Sequence, residues 1–145
     1  MTNSFKLFSI LVVMVIIFTA DFSSSQDGNI VYVQTWEFEM PEGGSWAEFD
    51  SLASLLNENV VKKDPKILSQ RIIRHQWGSD SRQLIIIREY AKIEDLVLDD
   101  DTGSELFRSY WKTDEERKEF NQAFRRYWQG YHSDEIYQEF SGARK

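Results

Sequence analysis

The chain has 145 residues, of which 41% are hydrophobic and 14% aromatic, a length and composition that predict one soluble globular domain. It carries 24 acidic and 17 basic residues, and a net charge of −7 argues against a partner that is nucleic acid or an anionic membrane. Cysteine is absent, which excludes a disulfide framework and leaves the core alone to hold the domain together.

The first 25 residues have the pattern of a signal peptide. Lys6 precedes an apolar run over residues 7–18, and small residues follow at positions 23–25. A run of about twelve residues is short for the ~30 Å of a membrane, although an uncleaved anchor is the alternative. We expect cleavage after Ser25, or else after Ala20, to release a secreted or periplasmic domain of residues 26–145 with no membrane association.

The first strand and the first long helix follow each other closely. Residues 29–40 (NIVYVQTWEFEM) alternate with a period of two and predict a strand that ends at Pro41. Ser45 and Glu48 have the spacing of a capping box that begins a helix over residues 45–63. Its predicted apolar face consists of Trp46, Phe49, Leu52, Ala53, Leu56 and Val60.

The next predicted element is a β-hairpin. Residues 67–77 and 82–91 flank Gly78–Ser81 and read as two antiparallel strands. Residues 93–98 predict one short helical turn.

A helical pattern covers residues 104–131. Thr113 and Glu116 form a second capping box, so we expect a break near Lys112. An aromatic stripe typical of a core face then follows, made of Phe120, Ala123, Phe124, Tyr127, Trp128 and Tyr131. Residues 133–140 alternate again and predict the last strand.

This order of elements predicts an α+β fold. Two right-handed crossovers give a ferredoxin-like split βαβ unit, in which a four-stranded antiparallel sheet carries two helices on one face. The other face would be uncovered, and an apolar sheet face without cover is an association surface. We therefore expect a homodimer that forms through that face.

Pairing Trp77 with Arg82 in the hairpin divides its residues between the two faces. One face then carries Arg71, Ile73, His75, Trp77, Leu84, Ile86, Arg88 and Tyr90, and we expect this mixed set to form a cavity wall. The other, with Leu68, Ile72, Ile85 and Ile87, is more aliphatic, and we expect it to face the helices.

This pairing also places Arg71 opposite Arg88. Like charges directly across a ladder are destabilising, so a carboxylate or an anion is needed between them. Glu37 or Glu39 of the first strand can supply the carboxylate, and a bound anionic ligand is the alternative. A slip of one residue in register would exchange the two faces.

The candidate site residues come from the mixed face and from the last strand. His75 and Arg88 are the catalytic candidates, and the predicted ligand-binding residues are Trp36, Arg71, His75, Trp77, Arg88, Tyr90 and His132. Two histidines without cysteine and without zinc-site spacing predict no metal site. We expect no cofactor.

A short motif at residues 101–104 (DTGS) has the form of an aspartic protease loop. Such an enzyme needs two aspartates that share a proton, and the chain contains one such loop, followed by a helical pattern. The acidic run Asp99–Asp101 also does not fit the calcium-binding frame of an EF-hand. We expect Asp101 or Thr102 to begin the following helix.

The strand IVYVQTWEFEM, the hairpin ILSQRIIRHQWGSDSRQLIIIREYA and the final YHSDEIYQEF together resemble the dimeric α+β barrel superfamily. This group includes antibiotic-biosynthesis-type monooxygenases, stress-responsive barrel proteins and NIPSNAP-like domains. The resemblance implies two sheets packed face to face in a homodimer and a small apolar cavity. Some members oxygenate aromatic compounds without a cofactor. Others bind haem. In this chain the axial ligand of a haem would have to be His75 or His132, and no sequence motif supports either position.

Two functions are therefore expected. The first is a secreted homodimer that binds a small molecule without catalysis. The alternative is a cofactor-independent monooxygenase-like enzyme that acts on a small aromatic or carboxylate-bearing compound. In the enzyme, Trp36, Trp77 and Tyr90 would hold a planar substrate while His75 or Arg88 polarises an oxygen.

Overall fold

The computed structural model describes residues 28–97, 101–140 and 142. The predicted signal peptide, Leu98 at the end of the predicted helical turn, and Asp99 and Asp100 of the acidic run lie outside the described residues. Within the described ranges, no helix is long and apolar enough to cross a membrane.

The described chain forms a four-stranded antiparallel sheet with helices, as predicted. The strands are β1 (Ile30–Phe38), β2 (Ile67–Arg74), β3 (Gln83–Tyr90) and β4 (Trp128–Gln138), in the spatial order β2-β3-β1-β4. The helices are α1 (Trp46–Asn59), α2 (Ile93–Val97), α3 (Thr102–Tyr110) and α4 (Asp114–Arg125), with a 3₁₀ turn at Val61–Lys63. The α+β prediction is confirmed.

The helix boundaries follow their capping residues. The Thr113–Glu116 capping box closes in both directions, at 3.1 and 2.9 Å, and separates α3 from α4. Ser45 Oγ accepts from the Glu48 backbone N–H at 3.1 Å, whereas the Glu48 carboxylate accepts from the Tyr127 hydroxyl at 2.8 Å. Asp101 occupies the N-cap position of α3 with φ 58°. The aromatic stripe leaves its helix early, because α4 ends at Arg125 and β4 begins at Trp128.

The core lies between α1, α4 and one end of the sheet. Its buried members are Phe38, Phe49, Leu84 and Tyr127, and Leu52, Ile72, Phe124 and Trp128 pack around them. Phe49 contacts the rings of Phe38, Phe124 and Tyr127 at 5.1–5.7 Å between centroids. Aromatic rings bury a large area each, so a few of them suffice to fix α1 and α4 on the sheet.

The predicted hairpin register is wrong by one residue. Ile72 pairs with Ile86 and Gln70 pairs with Arg88, so Arg71 faces Ile87 and not Arg88. β2 ends at Arg74 and β3 begins at Gln83, and side chains make hydrogen bonds within the loop between them. The His75 ring contacts the Asp80 carbonyl oxygen, and Asp80 Oδ1 accepts from the Arg82 N–H at 3.0 Å.

This slip exchanges the two faces of β3. Leu84, which was expected on the uncovered side, is 1% exposed and belongs to the core, so Ile86, Arg88 and Tyr90 also lie on the helix-facing side. Ile85 and Ile87 lie on the other side, which we call the open face. There Ile73 is 45% and Tyr137 54% exposed.

Candidate functional site

The helix layer leaves the middle of the sheet only half-covered. On the helix-facing side, Phe38 and Leu84 are buried at one end of the two central strands, and Ile30 and Tyr90 are buried at the other. Between them Tyr32, Gln34, Ile86 and Arg88 are only half-buried. Side chains of central strands beneath a well-packed helix layer would be buried, so a gap lies over this part of the sheet.

A groove between α1 and β2 lies beside this gap. Its volume is about 780 Å³, and its lining includes Ala53 and Asn57 from α1 and Gln70, Ile72 and Arg74 from β2. The next strand inward places Ile86 and Arg88 opposite Ile72 and Gln70. The groove therefore opens towards the half-buried centre of the sheet.

A row of polar side chains runs across all four strands on the helix-facing side of the sheet. We call this row the polar band, and it consists of Gln70, Arg88, Tyr32, Gln34, Asp134 and His132. Arg88 Nε donates to Gln70 Oε1 at 2.6 Å, and Arg88 pairs across the ladder with Tyr32. On the other side, Asp134 Oδ1 accepts from the Tyr32 hydroxyl at 2.6 Å and from Gln34 Nε2 at 3.0 Å. Asp134 Oδ2 lies 3.0 Å from His132 Nδ1.

The pKa values of two groups in the polar band move in opposite directions. Partial burial, the hydrogen bond to Asp134 and its negative charge raise the pKa of Tyr32 to about 12. The hydrogen bonds from Tyr32 and Gln34 hold the pKa of Asp134 below its usual value. Tyr32 is thus a firmly protonated donor, and Asp134 is an ionised acceptor that orients both Tyr32 and His132.

Aromatic rings continue the polar band towards the buried end of the sheet. The Trp36 ring stacks on His132, with centroids 4.1 Å apart, and meets Trp128 at 5.0 Å. Both neighbours come from β4, where a bulge with Gly130 at φ 53° inserts extra residues opposite Glu37. Because of the bulge, residues 128 and 132, four apart on β4, lie opposite Phe38 and Trp36, which are two apart on β1. The buried Trp36 Nε1 has no hydrogen-bond partner within the described ranges.

Comparison with known proteins identifies the fold. No protein-family model matches the chain, and no curated protein matches it in sequence. Solved structures do match. A Bordetella bronchiseptica protein assigned as an antibiotic biosynthesis monooxygenase superposes with a TM-score of 0.50 at 9% identity, covering 77% of this chain and 97% of that one.

The chain has a ferredoxin-like α+β fold. Two further matches are a Caulobacter crescentus protein with the same assignment (19% identity, TM-score 0.49, 80% of this chain and 93% of that one) and an Agrobacterium tumefaciens NIPSNAP family protein (9%, 0.46, 79% and 90%). The resemblance expected from the sequence is confirmed at the level of the fold. Identities this low establish no activity.

Within this ferredoxin-like fold, four of the predicted site residues lie on the helix-facing side. Trp36 and His132 are in direct contact, and Arg88 and Tyr90 are two residues apart on β3. Burial raises the pKa of Tyr90, whereas the nearby positive charge of Arg88 opposes that shift.

The other three predicted site residues lie elsewhere. Arg71 is on the open face and pairs with Glu89 at 3.1 Å. Trp77 is 95% exposed in the hairpin loop. His75 is in the same loop, and hydrogen bonds to the backbone carbonyls of Trp77 and Asp80 raise its pKa. The carboxylates proposed to neutralise Arg71 and Arg88 are also engaged elsewhere, since Glu37 pairs with Arg82 and Glu39 with Gln129.

Sequence reasoning missed Tyr32, Gln34, Gln70 and Asp134. The signal was present in β1, where polar Tyr32 and Gln34 share a face with Trp36 in a central strand. Polar side chains at those positions indicate a lined cavity, because a dry core would hold apolar ones. The described part of the chain holds no cluster of three or more His, Cys, Asp or Glu residues that suits a metal ion.

Proposed function

We propose that this chain is an exported homodimer that binds a small planar organic molecule in the groove between α1 and β2. The observation that carries the proposal is the gap in the helix layer, where Tyr32, Gln34, Ile86 and Arg88 remain half-buried in the two central strands. If side chains filled this gap, no space would remain for a ligand.

The size and lining of the groove support this proposal. Small-molecule sites have volumes of about 300–1,000 Å³ and combine apolar walls with a few polar groups. The groove has about 780 Å³, with Ile72, Leu84, Phe49 and Trp46 as apolar surface and Gln70 beside Arg88 as its inner polar end. The polar residues Asp50, Ser54, Asn57 and Arg74 also line it. The apolar groups suit a planar ring, and the polar end would fix its orientation.

The homodimer would form through the open face. Val31, Val33, Ile85 and Ile87 form an apolar centre there, and the charged pair Arg71–Glu89 lies beside it. Burying this centre against a second copy removes apolar area from water. Light scattering at micromolar concentration should give twice the chain mass, and Ile87→Lys should give the monomer mass. A wild-type monomer would refute this part of the proposal.

Export is supported by the pattern of residues 1–25 alone. N-terminal sequencing of the protein recovered from its own host should begin at Gln26, or at Asp21 for the alternative cleavage. An intact Met1 would contradict export by a cleaved signal peptide.

The groove itself is tested by filling it. Native mass spectrometry of protein purified from its host should show a retained small molecule. Ala53→Trp places a large ring inside the groove and should abolish retention. Ala47→Trp is the matched control, because Ala47 is an exposed position of the same helix and is not part of the lining. Equal retention by both variants would place the ligand elsewhere.

A second candidate function is cofactor-independent oxygenation, favoured by the arrangement of His132, Asp134 and Tyr32. A carboxylate that orients a histidine beside a phenol can take up and pass on a proton. In such a reaction an activated aromatic methylene loses its protons, O₂ oxidises it to a carbonyl, and the second oxygen atom leaves as water. Oxygen uptake with a hydroxylated anthrone tests this function. His132→Asn should lower the rate about 100-fold or more, whereas His75→Asn in the hairpin loop should not.

A further inference from the structure

Arg88 is a half-buried cation that lacks a carboxylate partner among the described residues. The arginines Arg71, Arg82, Arg117 and Arg126 each reach a carboxylate. Arg88 instead donates from Nε to the neutral side chain of Gln70 at 2.6 Å, and its other hydrogen-bonding neighbour is the Tyr90 hydroxyl. A positive charge partly removed from water is unfavourable unless an opposite charge meets it.

The acids of the groove and of the polar band do not pair with Arg88. Asp50 lines the groove and forms no ion pair with Arg88 among the described residues. Asp134 is held by Tyr32 and Gln34 at the far side of the polar band, and its Oδ2 lies 3.0 Å from His132 Nδ1. Asp64 affects Tyr90 but forms no ion pair with Arg88. Arg74, Arg108 and Arg125 also form no ion pair among the described residues, but these three are exposed, whereas Arg88 is half-buried. A guanidinium has five N–H donors, so two neutral partners leave donors for an oxyanion.

We propose that Arg88 is the anion-binding residue of the groove and that the ligand carries a carboxylate or a similar oxyanion on an aromatic body. This inference rests on the proposed binding function. Gln70 both lines the groove and holds Arg88, so the oxyanion lies at the Gln70 end. The ring lies along Ile72 and Leu84 towards Trp46. Gln70 and Arg74 are four residues apart on β2, or about 13 Å, which is room for two fused rings and a substituent.

Three probes with one aromatic body test the inference by calorimetric titration: 2-naphthoate, 2-naphthyl phosphate and the neutral 2-naphthylmethanol. The wild type should bind at least one of the two anions about tenfold more tightly than the alcohol, because hydrogen bonds between charged groups are stronger and guanidinium binds oxyanions in a forked geometry. Which anion binds more tightly identifies the oxyanion as carboxylate or phosphate. The Arg88→Met variant should bind anion and alcohol within about twofold of each other.

Two further variants keep the result interpretable. Arg88→Lys retains the charge without the fork and should give an intermediate preference, which decides the question if Arg88→Met does not fold. Arg125→Met removes an exposed arginine at the end of α4 and should change nothing. Equal affinity of the wild type for all three probes, or an anion preference that survives both Arg88 substitutions, would overturn the inference.

The outcomes separate this inference from the proposed function. If the alcohol binds and Ala53→Trp blocks it, but no anion preference exists, the binding function stands and the role of Arg88 falls. If none of the three probes binds the wild type, the groove does not accept planar molecules of this size and both proposals fall.

Discussion

Removing the hydroxyl group of Tyr127 should destabilise the domain, because this group joins the start of α1 to the core. Tyr127 is fully buried, and its hydroxyl donates to Glu48 Oε2 at 2.8 Å. The Tyr127 hydroxyl oxygen also accepts from the Ser45 N–H at 3.3 Å. This N–H is one of the donors that a helix N-terminus leaves without an intrahelical partner. The hydroxyl oxygen also lies 3.3 Å from the Ser45 carbonyl oxygen, and Tyr127→Phe keeps the ring and its packing and removes only these polar contacts.

The expected loss is about 2 kcal/mol. A hydrogen bond to a charged acceptor contributes roughly 1.5–3 kcal/mol. Glu48 keeps a second partner, Arg126 at 2.5 Å, which places the value inside this range and not above it. For a domain of this size, about 2 kcal/mol corresponds to a fall in melting temperature of roughly 8 °C. Urea unfolding at one fixed protein concentration is the assay, since any dimer makes stability concentration-dependent.

A double-mutant cycle isolates the contact from other effects. Tyr127→Phe, Glu48→Ala and the double variant should show a coupling of about 1 kcal/mol or more. Tyr131→Phe is the control, because Tyr131 is 85% exposed and its hydroxyl should matter by less than about 0.5 kcal/mol. If Tyr127→Phe unfolds at the wild-type urea concentration, or shows no coupling to Glu48, the proposed link between helix start and core is wrong.

Three further predictions follow from burial and hydrogen bonding. Leu84→Ala should lower the free energy of unfolding by about 2–5 kcal/mol, because Leu84 is 1% exposed in the core, whereas Leu55→Ala at 40% exposure should cost far less. The Tyr32 phenol favours the folded state while it is protonated, so its contribution should persist up to its unfolded pKa of about 10 and be lost as the pH rises to about 12. Ultraviolet titration should show one tyrosine fewer ionising near pH 12 in Tyr32→Phe than in the wild type. The ionised Asp134 carboxylate stabilises the folded state above the pKa that this group has in the unfolded chain. The wild type should therefore lose stability below about pH 4 more steeply than Asp134→Asn. Equal acid unfolding curves for the two proteins would contradict this.

The order and type of the elements follow from local signals in the sequence. The period of two in β1, the apolar face of α1 and the Thr113–Glu116 capping box each specify one element and one boundary. These signals act within a few residues, so a single sequence carries them. The end of α4 was less predictable, because Tyr127 and Trp128 continue the helical spacing of the stripe although the chain has already turned into β4.

The hairpin register was not predictable in the same way. A strand with one apolar and one polar face fixes its own register, but β3 has aliphatic residues on both faces, Leu84 and Ile86 on one and Ile85 and Ile87 on the other. In β2, each face carries one arginine and one isoleucine at this point. Arg71 and Ile73 lie on the open face, and Ile72 and Arg74 lie on the other. Alternation therefore could not decide between the two registers, and the hydrogen bonds of the loop decided instead.

The corrected register is also what gives Arg88 its significance. In the predicted pairing Arg88 faced Arg71, and a carboxylate between the two would have explained both charges. In the structure Arg71 has its own carboxylate, Glu89, on the open face, and Arg88 lies on the opposite side of the sheet beside Gln70. A neutral amide orients the guanidinium without neutralising it, and the same amide lines the groove between α1 and β2. Arg88 is not itself part of the groove lining, but the unbalanced charge lies next to it, in contact with a residue that is, and a charge buried for structural reasons would not require this position.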